Sequence, residues 1–329
     1  MEDFKKLFES FSSLKVGVIG DVMLDTYMWG KVDRISPEAP VPVVSLDHKE
    51  YRIGGAGNVA LNCQSLGAQV SVLSVTGADT EGVILKELLE DSNIDSTYLI
   101  KSADRITTNK TRIISRNQQM MRLDAEVTND LDSKEESAIL KKVKDYITSV
   151  DPDIIIFEDY NKGVLTEKVI QQVIGLCKQA GVITAVDPKR KNFFSFKQAN
   201  IFKPNLKEIK EALNLLVEEI NQPVLQKIHA ELQNILHHNV SFITLSEKGV
   251  FYQADTDAKL IPSHIRNVAD VSGAGDTVIA VASLVYAKTK NARLMAEIAN
   301  IAGGLVCEEV GTVAISKEKL LHECELLLS

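Results

Sequence analysis

Cysteine is scarce in this chain of 329 residues: Cys63, Cys177, Cys307 and Cys324 stand far apart and form no C-x-x-C pair. A disulfide framework is therefore excluded, and free buried thiols in a reducing compartment are expected. Histidine is also sparse, six in all, without H-x-x-x-H or Cys/His spacing, which leaves a zinc site unsupported. The longest strongly apolar stretch, Val278 to Ala287, is too short to span a bilayer. The opening residues 1–13 mix charges with aromatics and lack the apolar segment of a signal peptide, so a cytoplasmic protein without membrane contact is expected. Basic residues are the minority, 37 against 45 acidic, for a net charge of −8. That balance argues against nucleic acid or an anionic membrane as the main partner, while a small phosphorylated ligand needs only a local cation cluster. Neither a G-x-x-x-x-G-K-[ST] phosphate loop nor a G-x-G-x-x-G dinucleotide fingerprint occurs, so a nucleotide would have to be bound in another way.

What is present has the composition of a globular protein, 45% hydrophobic and 25% charged. The run Lys15 to Asp21 reads as a buried parallel strand with a polar C-terminal end. Strands at 69–76, 153–157, 182–187 and 240–245 alternate with helical patterns at 80–90, 133–149 and 166–179, the last closing at Gly181. Such alternation predicts an α/β domain of three layers around a mainly parallel sheet. The β-rich segment 249–262 leads to helices over 275–288 and 291–309. Segments 27–53 and 106–124 break the rhythm, the second as a hairpin about residues 116–118, and are expected to form a small β lid. The whole of 1–329 is read as one domain.

Chemistry is most legible in Asp270-Val-Ser-Gly273-Ala274-Gly275-Asp276. A glycine-rich turn opening a helix points several N–H groups at one spot, suited to phosphate oxygens or to charge building in phosphoryl transfer. Asp276 in the first turn either caps the helix or takes the proton of a substrate hydroxyl. In Ile53-Gly54-Gly55-Ala-Gly-Asn58 the glycines permit close approach of a ligand, and Asn58 offers a donor and an acceptor to a sugar hydroxyl. Asp21 and Asp25 lie at the C-terminal edge of the first strand, where open α/β sheets bind ligands; turn capping is the plainer role for Asp25. Asn205 and Glu208 have the spacing of a capping box. Arg112, Arg116 and Arg122 fall in the lid segment, and strand alternation would put Arg112 and Arg116 on one side, a candidate phosphate site. Asp187-Pro-Lys189 and Asp159-Tyr-Asn-Lys162-Gly also fall at strand ends.

The series Gly20-Asp21, Gly54-Gly55-x-x-Asn58, Asn205-x-x-Glu208 and Gly273-Ala-Gly-Asp276 resembles the ribokinase-like (PfkB) carbohydrate kinases over essentially the whole chain. Three longer strings, Gly20-Asp-Val-Met-Leu-Asp25, Arg34 to Val43, and Ile114 to Gln119 followed by Arg122-Leu-Asp124, resemble the branch acting on D-glycero-β-D-manno-heptose 7-phosphate. The resemblance implies a ribokinase-like fold and transfer of the ATP γ-phosphate to the C1 hydroxyl, giving a 1,7-bisphosphate for ADP-heptose and the lipopolysaccharide core. It implies Asp276 as base, with the 273–276 backbone stabilising the transferred group. Asn205, Leu206, Lys207, Glu208, Ser246 and Gly249 would lie at ATP, with Glu208 holding Mg2+ through water; a monovalent cation is left open. Asp21, Asp25, Gly54, Gly55 and Asn58 would hold the sugar, and Arg112, Arg116 and Lys162 its 7-phosphate. A homodimer through the lid is implied. Because bifunctional relatives continue into a nucleotidyltransferase domain, a stand-alone kinase served by a separate adenylyltransferase is expected. Alternatives are a kinase for another sugar phosphate or a nucleoside, and a catalytically silent sugar- or nucleotide-binding regulator.

Overall fold

A computed structural model describes residues 3–116, 118–216, 219–264 and 266–328. Thirteen strands alternate with helices among them: β1 Lys15–Gly20, β2 Val22–Ile35, β3 Pro42–Gly55, β4 Gln69–Gly77, β5 Leu99–Ser102, β6 Asn109–Ser115, β7 Gln118–Ala125, β8 Ile154–Glu158, β9 Ile183–Asp187, β10 Ile201–Phe202, β11 Val240–Thr244, β12 Val250–Ala254 and β13 Asp257–Ile261. Nine of them form one sheet in the order β13-β12-β11-β10-β9-β8-β1-β4-β5, parallel except for the antiparallel β12 and β13 at one edge. The chain leaves β1 toward β4 and β5, then returns to its other side at β8. Strand order thus reverses at β1, and ligands of such sheets bind outside the carboxyl ends at that reversal.

Period-two alternation explains the two cores. Val16, Val18, Ile154 and Ile156 point to a layer of helices that includes Ala56–Ser65, Ala274–Thr289 and Ala292–Val306. Ile19, Ile155 and Phe157 point to the opposite layer, with Ser133–Val150, Glu167–Ala180 and Gln222–Leu236. Helix ends carry their expected chemistry. Asp132 and Glu135 form a reciprocal cap, and Gly181 closes its helix at φ +74°. No helix among the described residues is long and apolar enough to cross a membrane.

The remaining strands make a second sheet, β3-β2-β6-β7. Its first strand begins earlier than composition suggested, since β2 starts at Val22 directly after β1, whereas β6 begins at Asn109, inside the expected segment. The reason is that β2 leaves the main sheet as a buried segment before it reaches solvent: Val22 to Tyr27 are all buried. Asn117, in the expected hairpin turn, lies outside the described residues.

Beneath β11, far along the chain from the motifs above, two buried histidines share one hydroxyl. His229 Nδ1 and His238 Nε2 lie 2.8 and 2.6 Å from Ser241 Oγ. Burial drives the His238 pKa down to about 3, helped by His229, and lowers that of His229. Between about pH 6.5 and 3 the unfolded chain binds a proton at His238 that the folded chain refuses. The resulting stability is complete above the unfolded value and is lost as pH falls, by about 5 kcal/mol at most. Calorimetry should show His238→Gln melting below the wild type at pH 7.5, with the gap closing toward pH 4.5. A gap independent of pH would exclude the linkage.

Candidate active site

Asp276 occupies the first turn of Ala274–Thr289 but does not cap it. The capping position is Gly273, in left-handed backbone at φ +77° and without a side-chain cap. Asp276 is only 5% exposed. Its Oδ2 accepts from Asn58 Nδ2 at 2.7 Å and its Oδ1 from the Tyr160 hydroxyl at 2.8 Å. Burial raises its pKa to about 6; the Asn58 and Tyr160 hydrogen bonds pull it down, Asp187 pushes it up and Lys203 pulls it down. A carboxylate so placed is ionised at neutral pH yet basic enough to receive a hydroxyl proton.

Asn58 reaches Asp276 because β3 ends in two glycines. Gly55 turns the chain at φ +59°, and a Cβ there would stand 2.4 Å from the Asp21 carbonyl oxygen. The helix Ala56–Ser65 therefore starts hard against the end of β1. Within it Asn62 donates to Asn58 Oδ1 at 3.3 Å and accepts from Thr277, tying the two helices together. At Gly54 a Cβ would come within 2.6 Å of Asp25 Oδ2, so the glycine leaves room for that carboxylate.

The two aspartates after β1 have different surroundings. Asp21 accepts backbone N–H bonds from Tyr160, Lys162 and Val164 at 2.8, 3.0 and 3.1 Å, so its oxygens hold the loop that follows β8. Burial still raises its pKa above the usual carboxylate value, against those three bonds. Asp25 instead meets Arg112 at 2.6 Å, and a turn cap is not what it makes. Register places Asp25 and Tyr27 beside Arg52 and Glu50 on β3 and beside Lys110 and Arg112 on β6, with Arg122 and Asp124 next on β7. Arg52 and Arg112 both lie over the Tyr27 ring, at 4.6 and 5.2 Å. Lys110 reaches the Tyr160 ring at 5.5 Å, which turns this charged face of the small sheet toward Asp276. Lys162 pairs with Glu126 at 2.7 Å. Arg116 is not brought into the group. It follows β6 at φ +49°, where strand alternation has ended, and its side chain is 79% exposed, 4.0 Å from Asp33.

On the other side of Asp276, Asn205 and Glu208 form the reciprocal cap that their spacing predicts, at 2.9 and 2.8 Å. The second Glu208 oxygen takes Lys189 Nζ at 2.8 Å. Lys203, 2% exposed, pairs with Asp187 at 2.6 Å. A Cβ on Gly275 would stand 3.8 Å from Asp187 and 3.9 Å from Lys203, so the helix start faces that pair. Leu206 opens the capped helix, and Lys207 is a surface partner of Glu211. Ser246 and Gly249 bound the short turn after β11, whose Thr244 bridges to Asn205.

Glu208 fits a hard cation held through water, since each oxygen receives one donor and keeps a lone pair. Among the described residues no group of three or more acidic, histidine or cysteine side chains is set for a metal by itself. Such a cation would complete its shell with water and phosphate oxygens, the habit of Mg2+. The first-turn N–H groups at Gly273–Asp276, with Lys189 and Lys203 nearby, fit a polyphosphate in the same way.

Tyr160, Lys203, Lys110 and Arg52 were not singled out by sequence pattern. Only the strand-end position of Asp159 to Gly163, and the lysine inside Phe202-Lys-Pro-Asn205, could have signalled the first two.

The family model described as pfkB family carbohydrate kinase matches residues 13–319. Among curated relatives, the bifunctional protein HldE of Citrifermentans bemidjiense is 38% identical over 324 residues, covering 98% of this chain and 65% of that protein. The HldE of Geobacter sulfurreducens is 35% identical, covering 97% and 65%. The chain thus spans about 65% of the length of these relatives. Of solved structures, phosphofructokinase-2 from Escherichia coli in complex with potassium superposes with a TM-score of 0.78 at 18% identity, covering 96% of this chain and 99% of that one. Ribokinase from Arabidopsis thaliana, complexed with ribose and ATP, gives 0.72 at 17% identity, covering 94% and 98%. These likenesses establish a ribokinase-like α/β fold.

Proposed function

The chain belongs to the pfkB family of carbohydrate kinases, and on that premise we propose that it phosphorylates the C1 hydroxyl of D-glycero-β-D-manno-heptose 7-phosphate with ATP. The observation that carries the reading is Asp276, a buried carboxylate at a helix N-terminus between a nucleotide-side cation group and a sugar-side cation group. In the reaction the C1 hydroxyl gives its proton to Asp276 as its oxygen bonds to the γ-phosphorus and the bond to ADP breaks. N–H groups of Gly273, Ala274, Gly275 and Asp276 face the charge that builds. Asn205, Leu206, Lys207, Glu208, Ser246 and Gly249 line the ATP side. Magnesium held there through Glu208 would supply neutralisation of phosphate charge.

On the sugar side Asp25, Gly54, Gly55 and Asn58 hold hydroxyls, and Asp21 acts through the loop it fixes. Arg112 and Lys162 bind the 7-phosphate, joined by Arg52, Lys110 and Arg122 on the same charged face rather than by Arg116. The small sheet serves as a lid that excludes competing water. Its other face carries Met28, Tyr51, Ile113, Met121 and Leu123 by register. Met121 and Leu123 are 55% and 52% exposed there, which supports a homodimer formed through the lid. Placement in the cytoplasm, and a nucleotidyltransferase step downstream that yields ADP-heptose, complete the proposal.

An ADP-release assay tests it, with the heptose 7-phosphate beside fructose 6-phosphate and ribose. Arg112→Met should raise KM for the phosphorylated heptose by about tenfold or more, the loss of a charge-assisted pair. Equal or better turnover of ribose would reject the assignment and favour a kinase for an unphosphorylated sugar.

A further inference from the structure

We propose that Tyr160 is a positioning residue that keeps Asp276 closed to water until a sugar hydroxyl displaces the phenol, so that ATP is cleaved only when sugar is present. The inference rests on the reading of Asp276 as the base.

Each Asp276 oxygen already has a donor from the chain itself, Asn58 at 2.7 Å and Tyr160 at 2.8 Å. The two donors differ in how firmly they are held. Asn58 is fully buried in a helix and braced by Asn62. Tyr160 sits half-buried on the loop after β8, its ring near Lys110 from the small sheet and Lys189 from the nucleotide side, at 5.5 and 5.4 Å. The loop backbone is fixed by the bonds of Tyr160, Lys162 and Val164 to Asp21 and by that of Asn161 to Asp159. Rotation of the ring alone would uncover Oδ1, without rearranging the chain. The phenol stays protonated, because burial and the neighbouring Asp276 raise its pKa, so it remains a donor.

The reaction to be suppressed is hydrolysis. Water would bond to the γ-phosphorus, the bond to ADP would break, and the water proton would pass to Asp276. Asp276 is only 5% exposed, and the ring and amide seated on its two oxygens cover what remains, so a water can reach Oδ1 only when the phenol moves aside. A sugar held by many hydroxyl contacts has the binding energy to do so, and a single water does not.

Tyr160→Phe should raise Mg2+-dependent ATP hydrolysis without sugar by about tenfold, the scale of one hydrogen bond to a charged group. It should also move the acid limb of kcat/KM, which reports the enzyme before sugar displaces the phenol, up by about one pH unit, since there the phenol favours the ionised carboxylate, and leave the limb of kcat in place. Asn58, Glu158, Asp187 and Lys203 are the other groups influencing Asp276 and are unchanged in this variant. A merely structural role would move neither readout. Asp21→Asn, which loosens the loop without touching the ring, should raise hydrolysis in the same direction. Wild-type hydrolysis in both variants, with melting temperatures unchanged, overturns the proposal; so does hydrolysis that persists in Tyr160→Phe/Asp276→Asn. Asp276→Asn alone separates the two ideas. If it still phosphorylates sugar, the base assignment fails. If it does not, and Tyr160→Phe hydrolyses ATP at the wild-type rate, only the closure fails.

Discussion

Asp276→Asn is expected to lower sugar phosphorylation by about 10²-fold or more while leaving the affinities for sugar and ATP near normal. Asparagine matches the aspartate in size and keeps an oxygen for one of its two donors, so the pocket survives and the base does not. The pH profile gives an independent reading. Asp276 must be ionised to accept a proton, and its pKa sits at about 6 because burial outweighs the two hydrogen bonds. Turnover in the wild type should therefore fall as pH drops through about 6 and level off above it. The asparagine variant should lose that limb together with its activity. Turnover within tenfold of the wild type, or an acid limb that survives the substitution, would remove Asp276 from the chemistry and revive the silent regulator.

The elements nearest the chemistry were the most legible in the sequence, and the reasons are local. β1 is a short run buried on both faces, Gly181 ends its helix by adopting positive φ, and Asn205 and Glu208 bond within one helical turn. None of these needs information from elsewhere in the chain. Tyr160 needs it: its partner is 116 positions away, and nothing about a tyrosine after Glu-Asp marks it as a donor to a distant carboxylate. Arg116 lies outside the charged face for a related reason. Alternation from Arg112 to Arg116 assumes the strand continues, whereas β6 ends at Ser115. Lys110 shares the face of Arg112 by alternation on β6, but Arg52 joins them only through strand register, β3 on β2 and β2 on β6, the latter pairing segments over eighty residues apart. Gln222–Leu236 and Lys317–Leu327 lie outside the expected helices, although their caps, Asn221 and Ser316, are of the usual type.

A second large effect is expected at Lys203, which no motif marked. Its ammonium pairs with Asp187 at 2.6 Å, and the two residues are 2% and 3% exposed. They share their surroundings with Glu158, which is fully buried with neither carboxyl oxygen bonded. Burial, then Asp187 and Asp276, raise the Glu158 pKa well above its usual value. The cations that face this buried acidic group are Lys203, 2.6 Å from Asp187, and Lys189, 3.6 Å from it. Lys203→Met keeps the apolar stem and deletes the Lys203 charge, leaving the buried Asp187 carboxylate with only the longer contact to Lys189 at 3.6 Å. Breaking one partner of a buried pair typically costs about 3–5 kcal/mol. The same change removes a cation that lowers the Asp276 pKa, so the acid limb of turnover should move above pH 6. Lys203→Met/Asp187→Leu should recover most of the lost stability, because an apolar pair replaces a desolvated ionic one at little net cost. It should not recover activity if the charge balance serves the chemistry. Denaturant melts of both variants and the double-mutant cycle measure the coupling. A coupling near zero would show that Lys203 and Asp187 do not depend on each other.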